Sequence, residues 1–314
     1  EANAIAVRIA RAATGKDKIA ICGYHGWHDW YLSANISNDT NLDNHLLPGL
    51  ESSGVPKNLI NTAIPFSYNR LDELERIINE HDIGAIKMEV MRSIKPELGF
   101  LEKIREIANM NNIVLIFDEC TSGFRQTFGG LHKKFKVNPD IAIFGKAMGN
   151  GYAVTAVLGK EELMKSAQNT FISSTFWTER IGSVAGLKTL EIMDREKSWN
   201  EITSIGKSVG SRWETLAKKN GLSIKIFGLP AINKFSIEGE NSIKYKTLIT
   251  QEMLKMGYLA SNSIYVCTEH SKELEGYFEA LEKVFSIISE CENGRNIDDI
   301  LEGPVCHTEF QRLN

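Results

Sequence analysis

Short, unbroken apolar runs along this chain alternate with longer stretches in which apolar positions recur at helical spacing. Glu1 to Ala13 is rich in Ala, Ile and Arg and is followed at Gly15 by a residue suited to a left-handed C-cap, which predicts a helix. Lys18 to Tyr24 predicts a strand, Leu71 to His81 a helix and Ala85 to Val90 a strand. Leu101, Ile104, Ile107 and Ala108 give one apolar face to a helix over Gly99 to Asn111. Ile113 to Phe117 and Ile141 to Phe144 are apolar throughout; the first runs into Asp118-Glu119, the second into Gly145-Lys146. Strands without polar alternation, separated by helices, predict an α/β domain with a mostly parallel sheet covered on both faces. Ligands of such sheets bind beyond the carboxyl ends of the strands, where Asp118 and Lys146 stand.

The pattern changes near residue 196. Trp199 to Asn220, Ile243 to Met256 and Lys272 to Ser289 predict helices. Ser223 to Phe227, Ile232 to Ile237 and a segment near Ser263 to Val266 predict strands. This α+β character predicts two domains, a large one over 1–196 and a smaller C-terminal one over 197–314. Ser33 to Asn61 is polar and rich in Asn, Ser and Gly, and is expected to be a long loop at an active site or interface.

Composition narrows the function classes. The 314 residues carry 36 Lys and Arg against 40 Asp and Glu, a net charge of −4, so there is no broad basic field for nucleic acid or an anionic membrane. No apolar run approaches the roughly 20 residues that span a bilayer. The five cysteines are dispersed without a CxxC pair, which predicts reduced thiols and a cytoplasmic setting. The chain opens without Met and already inside a helix pattern, so upstream sequence is expected to be missing.

A lysine between an apolar strand and the turn Ala147-Met148-Gly149-Asn150-Gly151 can be partly desolvated, which lowers its pKa and makes Lys146 nucleophilic toward an aldehyde. The plainer alternative is a solvated loop lysine. Asp118 can be buried against a cation such as a protonated pyridine nitrogen. Helix capping and metal binding are its alternatives. His25, His28 and Asp29 form a His-x-x-His-Asp run that offers a metal-hydrolase reading, although Gly26 weakens a shared helical face.

Several ordered segments together resemble the class-III pyridoxal-phosphate aminotransferases of fold type I. Asp118-Glu119-Cys120-Thr121-Ser122-Gly123-Phe124-Arg125 is similar to the family's Asp-Glu-x-x-x-Gly-Phe-Arg. Pro139-Asp140 through Gly145-Lys146 resembles its Pro-Asp strand ending in Gly-Lys, and Tyr24-His25-Gly26 its aromatic-His-Gly. Glu97-Leu98-Gly99-Phe100-Leu101 resembles a family helix start, and Ser174-Thr175-Phe176 the segment with a phosphate-binding threonine. The match runs from residue 1 to about 195 and more weakly beyond. The Asp-Glu with Phe-Arg and the Tyr-His-Gly lean toward the glutamate-1-semialdehyde aminomutase-like branch.

The resemblance implies a seven-strand-type large domain and pyridoxal 5′-phosphate as cofactor, bound by Lys146, Asp118, Tyr24, His25, Glu89 and Thr175. Lys146 would form the Schiff base and shuttle a proton, and Asp118 would pair with the pyridine nitrogen. Tyr24 would stack on the ring, Glu89 would lie near it or serve as an ion-paired structural carboxylate, and Thr175 would bind the phosphate of a partner subunit. Arg125 would position substrate or, in the favoured reading, hold Glu119. The partners implied are a small amino donor, a keto or aldehyde acceptor and a second copy in a homodimer. The family's Gly-Gly-Gly after the lysine is Gly149-Asn150-Gly151 here, and its proline after the strand-end glutamate is Val90. The Ser/Gly/Thr turn that precedes Glu1-Ala2 in the family, and would bind phosphate at a helix N-terminus, is absent from the sequence. A catalytically silent descendant of the fold is one rival; intramolecular aminomutation, which shares the first half-reaction with transfer, is another.

Overall fold

The structure is a computed structural model describing residues 1–308. Two compact units divide it, one over residues 1–196 and one over 197–308.

The first unit is built on a six-stranded sheet in the order β2-β1-β3-β4-β5-β6, with strands β1 Lys18–Cys22, β2 Ala63–Pro65, β3 Ile83–Glu89, β4 Val114–Asp118, β5 Ile141–Phe144 and β6 Ala156–Gly159. Neighbours from β2 to β5 pair parallel, and β6 closes the edge antiparallel to β5. Six strands are seen among the described residues where seven were expected. Every residue of β3, β4 and β5 is buried, which is why these strands read as continuous apolar runs. Helices α1 Ala2–Thr14, α2 Asp29–Leu32, α3 Leu71–Glu80, α4 Phe100–Met110, α5 His132–Phe135, α6 Glu161–Met164 and α7 Arg180–Glu196 complete this unit. Ala6, Val7, Ile9 and Ala10 of α1 pack on Ile19, Ile21, Ala85, Ile116, Ile141 and Ile143 in one core. Gly15 ends α1 at φ 67°, the left-handed cap its position suggested. Asn35 pins the polar loop after α2: its amide donates to the Leu50 carbonyl at 2.6 Å and its Oδ1 accepts from Leu42 N at 3.0 Å.

In the second unit, helices α8 Ser198–Lys219, α9 Ser242–Lys255 and α10 Leu274–Glu292 pack with the antiparallel pair β7 Ile224–Phe227 and β8 Lys234–Ile237. Trp213, Phe235, Tyr245 and Phe285 centre its core. The strand expected near Ser263 to Val266 is reduced to a single bridge between Lys234 and Ser263. The Asn262 side chain takes the Phe235 carbonyl at 2.8 Å, an acceptor that a regular ladder would have used. The small domain was expected to run on to residue 314, but 309–314 lie outside the described residues.

Candidate active site

The register of the central strands places their acidic ends together. Glu89 of β3 is the partner of Asp118 on β4, and Asp118 is the partner of Ile143 on β5, three residues before Lys146. Two carboxylates side by side on one face repel unless each has its own cation. Glu89 has Arg92, whose Nε donates to Oε1 at 2.8 Å. Asp118 has Lys87, two residues before Glu89 on the same strand, at 3.2 Å from Oδ2, and His25, whose Nδ1 lies 2.9 Å from the same oxygen.

Asp118 is 3% exposed and His25 2%. Burial pushes the Asp118 carboxyl upward, but Lys87 and His25 together outweigh it and hold the group well below the ordinary carboxylate range. Burial, reinforced by Lys87, pushes His25 down, so its imidazole is neutral with the proton on Nδ1, facing Asp118. The Cys120 amide donates to Asp118 Oδ1 at 3.1 Å. Burial and then Asp118 push the Cys120 thiol up to about 12, so it is not a thiolate.

Lys146 opens a short 3₁₀ turn, Lys146–Met148, at the end of β5 with φ +46°. That left-handed conformation costs an L-residue about 1 kcal/mol, so the surrounding fold holds it there. Its Nζ donates to Thr121 Oγ1 at 2.7 Å, and Arg92 Nη2 donates to the same hydroxyl at 3.0 Å. Partial burial first, and Arg92 second, lower the Lys146 pKa. Lys146 as a whole residue is exposed, and its amine is held against Thr121.

Tyr24 is half-buried and meets Tyr31 edge-on at 6.0 Å, while its backbone N–H donates to Glu89 Oε2 at 3.2 Å. Gly23, just before it, has φ +112°, and a Cβ there would fall 2.8 Å from Glu89 Oε2, so glycine is what lets this backbone reach the carboxylate. Glu119, expected to be held by Arg125, is fully buried and gives its oxygens to His132 Nδ1 and N and to Ser122 Oγ. Arg125 Nε goes instead to the Thr121 carbonyl at 3.4 Å. Thr175 starts an exposed 3₁₀ turn, Thr175–Thr178, and makes no part of this cluster. A cleft of about 500 Å³ lined by Glu1, Ala2, Thr155, Ser174 and Trp177 lies beside the start of α1, and neither Lys146 nor Asp118 forms its wall.

Sequence reading missed Thr121, Arg92 and Lys87. Arg92 comes from a loop without a distinguishing pattern, and Thr121 stands at an unspecified position of the Asp118–Arg125 segment, which assigns it no role. Lys87 did leave a signal, a lone cation inside the apolar run Ala85-Ile86-Lys87-Met88. The metal reading fails on geometry: His25 turns into the sheet toward Asp118, His28 stacks on exposed Trp27 at 5.0 Å, and no group of three metal-binding side chains exists among the described residues.

A family model described as "Aminotransferase class-III" matches residues 1–273. The 3-aminobutyryl-CoA aminotransferase of Cloacimonas acidaminovorans is 35% identical over 287 residues, covering 87% of this chain and 65% of that protein. A glutamate-1-semialdehyde 2,1-aminomutase of Sulfurisphaera tokodaii is 30% identical over 312 residues, covering 92% of this chain and 73% of that protein. Among solved structures, the pyridoxal-phosphate internal aldimine form of FumI from Sphingopyxis sp. MTA144 superposes with a TM-score of 0.82 at 19% identity, covering 95% of this chain and 71% of that one. The chain thus spans about two thirds to three quarters of the length of these proteins.

Proposed function

Because the chain belongs to the class-III aminotransferase family, we propose that it binds pyridoxal 5′-phosphate at Lys146 and transfers an amino group between a small amino donor and a keto or aldehyde acceptor. The observation that carries this reading is the juxtaposition of buried Asp118, held by Lys87 and His25, with the Lys146 amine, held by Thr121, at the ends of adjacent strands β4 and β5.

The residues fit the cofactor. A carboxylate that stays ionised when buried is what a protonated ring nitrogen requires, and an amine with lowered basicity is what an aldehyde requires. The Oδ1 atom of Asp118 receives the Cys120 amide and keeps acceptor capacity for one more donor. The cofactor supplies an electron sink for the carbanion formed when a proton leaves the substrate carbon. Lys146 would hold the cofactor covalently through Nζ and, once the substrate amine has displaced it there, its freed amine would carry the proton taken from and returned to the substrate carbon. Thr121 keeps that amine oriented by accepting its hydrogen bond. Asp118 would bind the ring nitrogen, and His25 fixes the rotamer of Asp118 through Nδ1. Tyr24 would cover a ring face, and Glu89, locked by Arg92 and the Tyr24 amide, fixes the backbone that carries Tyr24.

A homodimer belongs to the same proposal. Phe171, Phe176, Ile181, Val184 and Leu187 lie between 62% and 84% exposed on the segment before α7 and on α7 itself, an apolar surface suited to a second copy. In α7 only Gly182 and Gly186 are buried, so this helix contributes little to its own unit's core. Exposed Thr175 sits in that surface, where it is available to the phosphate held by a partner subunit. No helix of the described residues is long and apolar enough to cross a membrane. The five cysteines are unpaired, which supports a reducing, cytoplasmic setting.

The test is the visible spectrum with added pyridoxal phosphate, before and after borohydride, with peptide mapping of the reduced adduct. The expected adduct maps to Lys146 and is absent from Lys146→Ala. A protein that stays colourless, or an adduct spread over surface lysines, refutes the assignment. Release of a keto product from an amino donor then marks transfer. Isomerisation of an amino aldehyde without any second acceptor marks the aminomutase activity carried in the Sulfurisphaera relative's name.

A further inference from the structure

Lys87 is a charged residue in the middle of a buried strand, and the reaction outlined above gives it no task. Strand alternation sets its side chain on the same face of β3 as Ala85 and Glu89, the face that α1 covers. It is 0% exposed. Its Nζ lies 3.2 Å from Asp118 Oδ2, 3.2 Å from His25 Nδ1 and 5.8 Å from the centroid of the Trp30 ring. An ammonium and an imidazole N–H therefore converge on one carboxylate oxygen.

The titratable groups around the Lys87–Asp118 pair are Glu89 on the same strand as Lys87, His25 in the loop after β1, the Cys120 thiol after β4 and, farther off, Lys146 after β5. Arg92 neutralises Glu89 at 2.6 Å, His25 is neutral, and Cys120 is protonated. Lys146 feels Asp118 only as the last of its charged neighbours and donates to Thr121; the ion pair in contact at Asp118 is the one with Lys87, at 3.2 Å. A buried charge is tolerated only when paired. A protonated ring nitrogen docking on Asp118 would be a second cation for the same single anion.

We propose that Lys87 and the ring nitrogen of the cofactor share Asp118 as one counter-ion, so that only one of them is cationic in the loaded site and Lys87 turns from ammonium to amine whenever the ring nitrogen is protonated. The proton lost by Lys87 is the one gained at the ring nitrogen or, when the ring arrives already protonated, passes to solvent. Lys87 is thus a positioning residue acting through Asp118: it weakens the hold of Asp118 on the ring proton and so moderates the electron sink. Burial favours the amine form of Lys87, in the same direction. This inference rests on the cofactor reading above.

The test is titration calorimetry of pyridoxamine 5′-phosphate, which has the ring nitrogen and phosphate but no aldehyde. Binding to wild type, Lys87→Met and Lys87→Gln is measured at one pH in two buffers of different ionisation enthalpy. Wild type is expected to release a proton on binding as Lys87 gives up its charge. The ring-nitrogen NMR signal of labelled ligand should keep its protonated position to higher pH in both variants than in wild type. Binding by all three proteins with the ring-nitrogen signal titrating at the same pH would overturn the inference and leave the cofactor site standing. Failure of all three to bind would remove the cofactor reading and this inference with it.

Discussion

Thr121 offers the sharpest probe of the candidate site, because one hydroxyl oxygen accepts from two cations. Neither Lys146 nor Arg92 has an acceptor when charged, so the oxygen of Thr121 takes both hydrogen bonds and its own proton points elsewhere. Thr121→Val keeps the shape and removes that oxygen. A hydrogen bond to a charged donor contributes about 1.5–3 kcal/mol and one to a neutral donor about 0.5–1.5 kcal/mol. The difference favours the ammonium form of Lys146, and because the lysine is partly solvated the low end applies, about 1 kcal/mol. The Lys146 pKa, already lowered by burial and Arg92, is therefore expected to fall by roughly a further 0.7 pH unit in the variant. The assay is the pH dependence of amine labelling in cofactor-free protein, followed at the Lys146 peptide by mass spectrometry. An unchanged or raised midpoint in a folded Thr121→Val protein would refute the shared-acceptor arrangement.

Two further outcomes follow from packing and titration. Gly206 of α8 has the Pro230 carbonyl where a Cβ would stand, 1.9 Å away, so Gly206→Ala must displace backbone. It is expected to cost the second unit about 2–4 kcal/mol, read as a lowered urea midpoint, and a midpoint equal to wild type would contradict that packing. His25 and His45 are both held below the ordinary histidine pKa by burial. As pH falls through 6.5 the unfolded chain takes up protons that the folded one refuses, so stability should drop by up to about 1.4 kcal/mol per pH unit for each histidine until its folded pKa is reached. Urea midpoints between pH 7.5 and 5.5 measure this slope, and His25→Gln should lose its share; a flat profile would mean that neither ring is buried neutral.

Much of the first unit was legible because burial of both sheet faces forces apolar runs, and such runs are visible without knowing their neighbours. Ile141–Phe144 was bounded to the residue, and β4 differs from its expected span by one position at each end. Strand β6 was missed because it is an edge strand with partly exposed residues, Leu158 among them, and leaves no apolar run. Helix α7 was missed for a related reason: its apolar side chains Ile181, Val184 and Leu187 face outward, so the pattern does not follow the rule of one buried face. The bridge at Ser263 shows a side chain, Asn262, competing for a backbone acceptor, which composition does not reveal.

By itself the sequence determined the strand-helix alternation, the parallel sheet and the placing of Asp118 and Lys146 at strand ends. These depend on local runs and on the hydrophobic effect acting along the chain. Tertiary structure alone decided which charges meet. Lys87, His25 and Asp118 lie on two strands and a loop as much as 93 residues apart in sequence, and only the register of β3 with β4 brings them onto one oxygen. Nothing near Thr121 in sequence announces that Lys146 and Arg92 will both turn to it. Pairing energies between buried charges depend steeply on distance and on exclusion of water, and both are properties of the folded neighbourhood that no residue carries alone.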